Sequence, residues 1–116
     1  MKVYGYKNCD TCRKALKWLD AAGAGYEFVD ITVTPPPVAV LEAALAGGRY
    51  QLKNLFNVSG GRYRERNLKA ELPGMSQGDA LALLAGDGML CKRPVAVDGT
   101  TVTVGFKPEV YGEVWG

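Results

Sequence analysis

No histidine occurs in this chain of 116 residues. That absence removes Ser-His triads, Cys-His pairs and histidine-held metals as mechanisms. An excess of charge is lacking too: 14 Lys and Arg stand against 12 Asp and Glu, a formal net charge of +2. So small a surplus carries neither the footprint of a strongly basic nucleic-acid binder nor an acidic tail, and direct contact with nucleic acid is not expected. No apolar run approaches the roughly 20 residues that span a bilayer. The opening Met1-Lys2-Val3-Tyr4-Gly5-Tyr6 shows neither an apolar h-region nor a small-residue cleavage site. Cysteine is sparse and odd in number, at three, which argues against a secreted disulfide framework and favours redox or metal chemistry. Repeats and low-complexity linkers are absent, and the chain is long enough for one packed core but not two. The expectation is a cytoplasmic monomer, one domain over residues 1–116, with no membrane partner.

What is present is a clear alternation of periods. Lys2 to Gly5 reads as a short strand, and Asp10 to Ala22 then places Ala15, Leu16, Leu19 and Ala22 on one helical face. Gly23 and Gly25 stop that helix, and Tyr26 to Ile31 alternates as a second strand, parallel to the first. The start is thus a βαβ unit. Pro35-Pro36-Pro37 breaks the chain, with Thr34 as the expected N-cap of a helix over Val38 to Ala46 that Gly47-Gly48 ends. Leu52 to Phe56 and Tyr63 to Leu72 read as short helical pieces, and Ser76 caps a further helix through Leu84. From Pro94 the pattern becomes β: Val95 and Val97, a turn at Asp98-Gly99, then Thr101 to Val104, an antiparallel hairpin. A last helix is expected over Lys107 to Trp115. The fold class this implies is α/β and thioredoxin-like, a βαβ and a ββα unit with an all-helical insertion between them over about residues 32–90.

Cys9-Asp10-Thr11-Cys12 falls where the first strand hands over to the first helix. Unpaired amides of the first helical turn and the helix dipole favour a thiolate over a thiol at Cys9, and the thiolate is the nucleophile. Lys7, Arg13 and Lys14 supply cations nearby, and the Thr11 hydroxyl can donate a hydrogen bond. Cys12, one turn on, is placed to attack an adduct on Cys9 and leave a Cys9–Cys12 disulfide. Two other readings of the pair stand beside this one. It could be half of a zinc site, although Cys91 and carboxylates make a poor remainder, or it could be an idle reduced pair. Cys91 itself reads as a small core hydrophobe. Lys92-Arg93 precedes Pro94 at the entry to a strand, the place where thioredoxin-like folds present a cis-proline loop to the active cysteine; Pro94 is the cis-proline candidate, and Arg93 would then lie beside Cys9.

Three blocks together carry a resemblance to a known family. They are Tyr6-Lys-Asn-Cys9-Asp-Thr-Cys12-Arg-Lys-Ala-Leu-Lys-Trp-Leu19; Leu55-Phe-Asn-Val-Ser-Gly60 with Tyr63-Arg-Glu65; and Met75-Ser76 with Asp87-Gly-Met-Leu-Cys-Lys-Arg-Pro94 through Val104-Gly-Phe-Lys-Pro108. In this order, over nearly the whole chain, they resemble the arsenate reductase (ArsC) family, closest to its Spx/MgsR and YffB-like branch. The resemblance implies a nucleophile at Cys9, which in true arsenate reductases attacks arsenate, is resolved by glutathione and is reduced by glutaredoxin. It implies Arg93 as oxyanion or thiolate partner, with Lys7, Asn8, Thr11 and Arg13 around the turn as substrate or anion contacts. Two further family arginines fall on Asn57 and Lys107. A tetrahedral dianion wants several charge-assisted donors, and an amide plus a point charge replaces two guanidiniums here, which counts against arsenate. Cys12 stands where glutathione-dependent members resemble Cys-x-x-Ser, which suggests a disulfide cycle or a redox switch. The implied function is a thiol oxidoreductase with no bound cofactor and no metal, using glutathione or glutaredoxin as co-substrate. The alternative is a Spx-like redox regulator that binds the RNA polymerase α subunit.

Overall fold

The structure is a computed structural model describing residues 1–116. Four short strands form one mixed sheet: β1 (Lys2–Gly5), β2 (Glu27–Asp30), β3 (Val95–Asp98) and β4 (Thr101–Val104). Their spatial order is β2-β1-β3-β4. β1 and β2 are parallel, with Val3 opposite Phe28, whereas β3 runs antiparallel to both β1 and β4. Alternation along the strands divides the sheet into two faces. Val3 and its cross-strand partner Ala96 point to one side; Tyr4 and its partner Val95 point to the other.

The first face is covered by α1 (Asp10–Ala21) and α6 (Pro108–Val114), whose Ala15, Leu19 and Tyr111 close a small core over Val3 and Ala96. Trp18 and Phe106 meet the Tyr111 ring edge-on, at centroid distances of 5.5 and 4.8 Å. Trp115 Nε1 donates to the buried Thr103 hydroxyl at 2.9 Å, fixing the end of the chain on β4. α1 ends in a Schellman arrangement: Gly23 adopts φ +72°, its amide bonds Asp20 O, and Ala24 N reaches Leu19 O.

The second face carries the larger core, built from α2 (Val38–Ala46), α3 (Gly61–Glu65), α4 (Leu68–Glu71), α5 (Gln77–Gly86) and three 3₁₀ turns, all lying between β2 and β3 in the chain. Leu41, Leu55, Phe56, Leu68, Leu81, Leu84 and Leu90 are fully buried there. The helical stretch between the β units is therefore observed, with strand-like pairing only at Phe56 and Cys91.

Three expectations need correction. Thr34 does not cap α2: its amide closes a turn on Asp30 O, and Pro37, extended at ψ 156°, is the N-cap with no side-chain bond. Each proline holds the residue before it extended, which covers residues 34–36, and Pro37 is itself extended, so helical geometry begins at Val38. The piece expected over Tyr63 to Leu72 is broken, because Asn67 takes a left-handed conformation at φ +52° between α3 and α4. Lys107 lies outside α6, as its extended N-cap.

Candidate functional site

β1 ends at Gly5, and the turn Tyr6 to Cys9 delivers Cys9 to the N-cap of α1. Cys9 N bonds Tyr6 O at 3.1 Å, closing the turn, while Arg13 N bonds Cys9 O at 3.0 Å and starts the helix. In place of the hydroxyl or carboxylate that most N-caps use, the Cys9 sulfur accepts from Cys12 N at 3.4 Å. The sulfur is half-buried. Burial pushes its thiol up, but hydrogen bonds from the Cys12 side chain and amide, the Arg93 charge and the Thr11 amide outweigh it, so the net displacement is downward. Cys12 behaves oppositely: it is buried, and desolvation first, then the neighbouring Cys9, push it up to about 12. Two thiols one helical turn apart are thus separated into a nucleophile and a protected partner.

Gly5 makes room for this pair. A Cβ there would come within 3.0 Å of the Phe28 ring and 3.3 Å of Cys12 Sγ. Arg93 comes from the other end of the sequence. The Arg93–Pro94 peptide bond is cis, as the cis-proline candidate required, and Pro94 is buried at the start of β3, beside the end of β1. The Arg93 guanidinium lies over the Tyr6 ring, 5.7 Å from its centroid, and its Nη1 sits 3.3 Å from Met89 Sδ. From there its positive charge lowers both Cys9 and Cys12.

The remaining sequence-nominated residues separate. Thr11 is exposed and acts on Cys9 through its amide, not through the hydroxyl that the sequence suggested. Arg13 is committed elsewhere, with Nη1 on Asp10 at 2.9 Å and Nε on the Lys7 carbonyl at 3.0 Å. Lys7 is exposed and its charge acts on Asp30. Asn8 is exposed and donates to the Tyr6 hydroxyl at 3.4 Å. Asn57 N bonds Leu90 O at 2.7 Å, and its side chain packs against Gly60, leaving no room for a Cβ there. Lys107 lines a separate cavity of about 250 Å³. Cys91 is buried, its thiol directed at Leu84 O at 3.5 Å and pushed up to about 12 by burial and the Asp87 charge, as a core side chain would be. No group of three or more Cys, Asp or Glu is arranged to hold a metal ion.

Sequence reasoning missed Tyr6 and Met89, which hold Arg93 in place. Neither carries a charge or a reactive group, and only the fold brings Met89 Sδ within 3.3 Å of the guanidinium.

Comparison with known proteins shows the family. The ArsC family model matches residues 4–114. The chain is 47% identical over 115 residues to an uncharacterised Bacillus subtilis protein, YusI, covering 99% of this chain and 98% of that one. It is 25% identical to the Bacillus subtilis regulatory protein MgsR over 93% of this chain and 84% of the other. An ArsC-family-related protein from Bacteroides fragilis superposes with a TM-score of 0.88 at 39% identity, covering 97% of this chain and 95% of its own. The chain belongs to the ArsC family.

Proposed function

We propose that this protein is a thiol–disulfide oxidoreductase in which Cys9 is the nucleophile and Cys12 the resolving thiol. The observation that carries the reading is the opposite displacement of two thiols one turn apart at a helix N-terminus, Cys9 downward and Cys12 to about 12. The Cys9 thiolate attacks one sulfur of an external disulfide; that S–S bond breaks, a mixed disulfide forms on Cys9, and the other half leaves as a thiolate. Cys12 then gives its proton to solvent and attacks Cys9 Sγ. The Cys9–Cys12 disulfide forms, and the second half leaves as a thiolate. The protein loses two electrons and the external disulfide gains them. Once Cys9 carries an adduct, its charge no longer adds to the upward push that burial gives Cys12, so one of the causes holding the resolving thiol up is removed. A small thiol such as glutathione, or glutaredoxin, would return the protein to the dithiol, in a cytoplasmic setting.

Arsenate is a poor fit to this site. Arg93 is the one guanidinium acting on Cys9, whereas Asn57 is tied to the Leu90–Gly60 region and Lys107 lines another cavity.

The test is turnover of a glutathionylated disulfide by wild type, Cys9→Ser and Cys12→Ser. Cys9→Ser should fall to background, and Cys12→Ser should accumulate a mixed disulfide visible by intact mass. Wild-type reaction no faster than free cysteine would overturn the proposal. A second reading, a Spx-like redox regulator that binds the RNA polymerase α subunit, draws on the likeness to the regulatory protein MgsR. Capture of RNA polymerase that depends on Cys9 and Cys12, in a protein without turnover, would select it.

A further inference from the structure

A second cavity lies in the helical stretch between β2 and β3 and shares no residue with the Cys9 turn. Its volume is about 390 Å³, at the low end of the roughly 300–1,000 Å³ found for small-molecule sites. On one side stands the turn Leu52–Leu55, and on the other α4 with the turn Leu72–Gly74 and Met75. Tyr63 of α3 closes it. In one unbroken helix, Tyr63 and Lys69 would point about 120° apart. The left-handed Asn67 separates α3 from α4, and both side chains reach the same cavity.

The lining divides by chemistry. Leu52, Leu72 and Met75 give it apolar walls. Lys53 and Lys69 are its exposed cations, and neither is paired, because the ion pairs join Arg13 to Asp10, Arg49 to Glu113 and Arg62 to Asp87. No Asp or Glu lines the cavity. Tyr63 is only 5% exposed, its ring edge-on to the buried Phe56 ring at a centroid distance of 6.2 Å. Hydrogen bonds at tyrosine hydroxyls are confined to Tyr6, Tyr26 and Tyr50, so the Tyr63 hydroxyl stands without a protein partner on a side chain that is almost wholly buried. A buried phenol without an acceptor is costly, and an acceptor brought by a ligand would recover that cost.

We infer that this cavity binds a small carboxylic acid with an apolar body of about one ring, the Lys53 and Lys69 ammonium groups and the Tyr63 hydroxyl donating to its carboxylate. The apolar walls take the body out of water, and the two unpaired cations with the phenol supply charge-assisted hydrogen bonds to the acid group. A cavity this small suits a ligand of about ten heavy atoms and not a folded partner. No bond is made or broken, and binding here is independent of the oxidoreductase reading.

The test titrates isotope-labelled protein by NMR with hydrocinnamate, with the neutral alcohol of the same skeleton, and with acetate, which lacks the apolar body. Hydrocinnamate should give saturable amide shifts at Leu52, Tyr63, Lys69 and Met75. The alcohol should bind at least about fivefold more weakly, and acetate should not saturate. Lys53→Gln/Lys69→Gln should weaken hydrocinnamate about tenfold, while the charge-matched Lys2→Gln/Lys17→Gln, outside the cavity, should change it less than about twofold. Tyr63→Phe, which keeps the ring, should weaken it about threefold. Shifts confined elsewhere, none that saturate, equal binding of acid and alcohol, an equal loss in the two double variants, or an unchanged affinity in Tyr63→Phe overturns the inference. Shifts at the same amides on raising the protein concentration alone also overturn it, since a second copy of the chain would then be the occupant.

Discussion

Arg93 owes its effect to where its neighbours hold it. With the Tyr6 ring on one side and Met89 Sδ on another, the guanidinium keeps its charge directed at the Cys9 sulfur. A cation favours the thiolate, so removing it raises the Cys9 pKa. Arg93→Met should therefore move the pH midpoint of iodoacetamide alkylation at Cys9 upward by about one unit, and the rate at pH 6.5 should fall several-fold. Wild type should alkylate with a midpoint below that of free cysteine. An unchanged midpoint in Arg93→Met would show that Cys9 is tuned by the helix amides alone. Gly88 tests packing in the same residue-by-residue way. A Cβ at this buried glycine would lie inside contact distance of the Ile31 carbonyl oxygen, which is backbone and cannot swing away. Gly88→Ala should lose about 3 kcal/mol of unfolding free energy, read by urea denaturation.

At the level of elements, the start of α1 is both a structural cap and the reactive turn. Because the Cys9 sulfur fills the role an N-cap oxygen usually takes, Cys9→Ser should keep the helix start, with a melting temperature within a few degrees of wild type, while disulfide exchange disappears. That separation matters, since a loss of activity caused by unfolding would say nothing about the nucleophile. α5 offers the ordinary case: Ser76 Oγ accepts from Asp79 N at 3.1 Å, and Ser76→Ala should cost about 1 kcal/mol without altering Cys9 alkylation. These helix starts were legible in the sequence because their signals are local, a polar cap followed by a periodic apolar face. The bounds of Val38–Ala46 were legible for a related reason, lying between three prolines and two glycines, although the cap assigned to Thr34 was not. A proline run permits several extended geometries, and the tertiary path of the chain chose the one in which Pro37 begins the helix.

For the whole molecule, the three cysteines report how the layers divide. Cys9 is half-buried at the sheet end, Cys12 is buried in the first turn of α1, and Cys91 sits in the larger core. Native protein treated with iodoacetamide at neutral pH should gain one label, on Cys9, and protein unfolded in guanidinium should gain labels at all three cysteines, as intact mass will show. Labelling of Cys91 in the native state would mean that the larger core opens, because burial, with the Asp87 charge, holds that thiol up near 12. What the sequence determined by itself was whatever depends on neighbours a few residues apart: the strand–turn–helix around Cys9, the glycine stop at Gly23, the hairpin at Asp98-Gly99 and the core character of Cys91. The cis-proline reading of Arg93-Pro94, and then the three-block resemblance, added Arg93 to that set. Only the tertiary structure decided which distant side chains share a site. It stacked Arg93 on Tyr6 against Met89, turned Arg13 toward Asp10, and sent Lys92 across Gly105 to join Lys107 and Arg49. The reason is that side-chain direction at a strand entry depends on how the strands pair and which helices cover them, and those contacts join residues far apart in the chain.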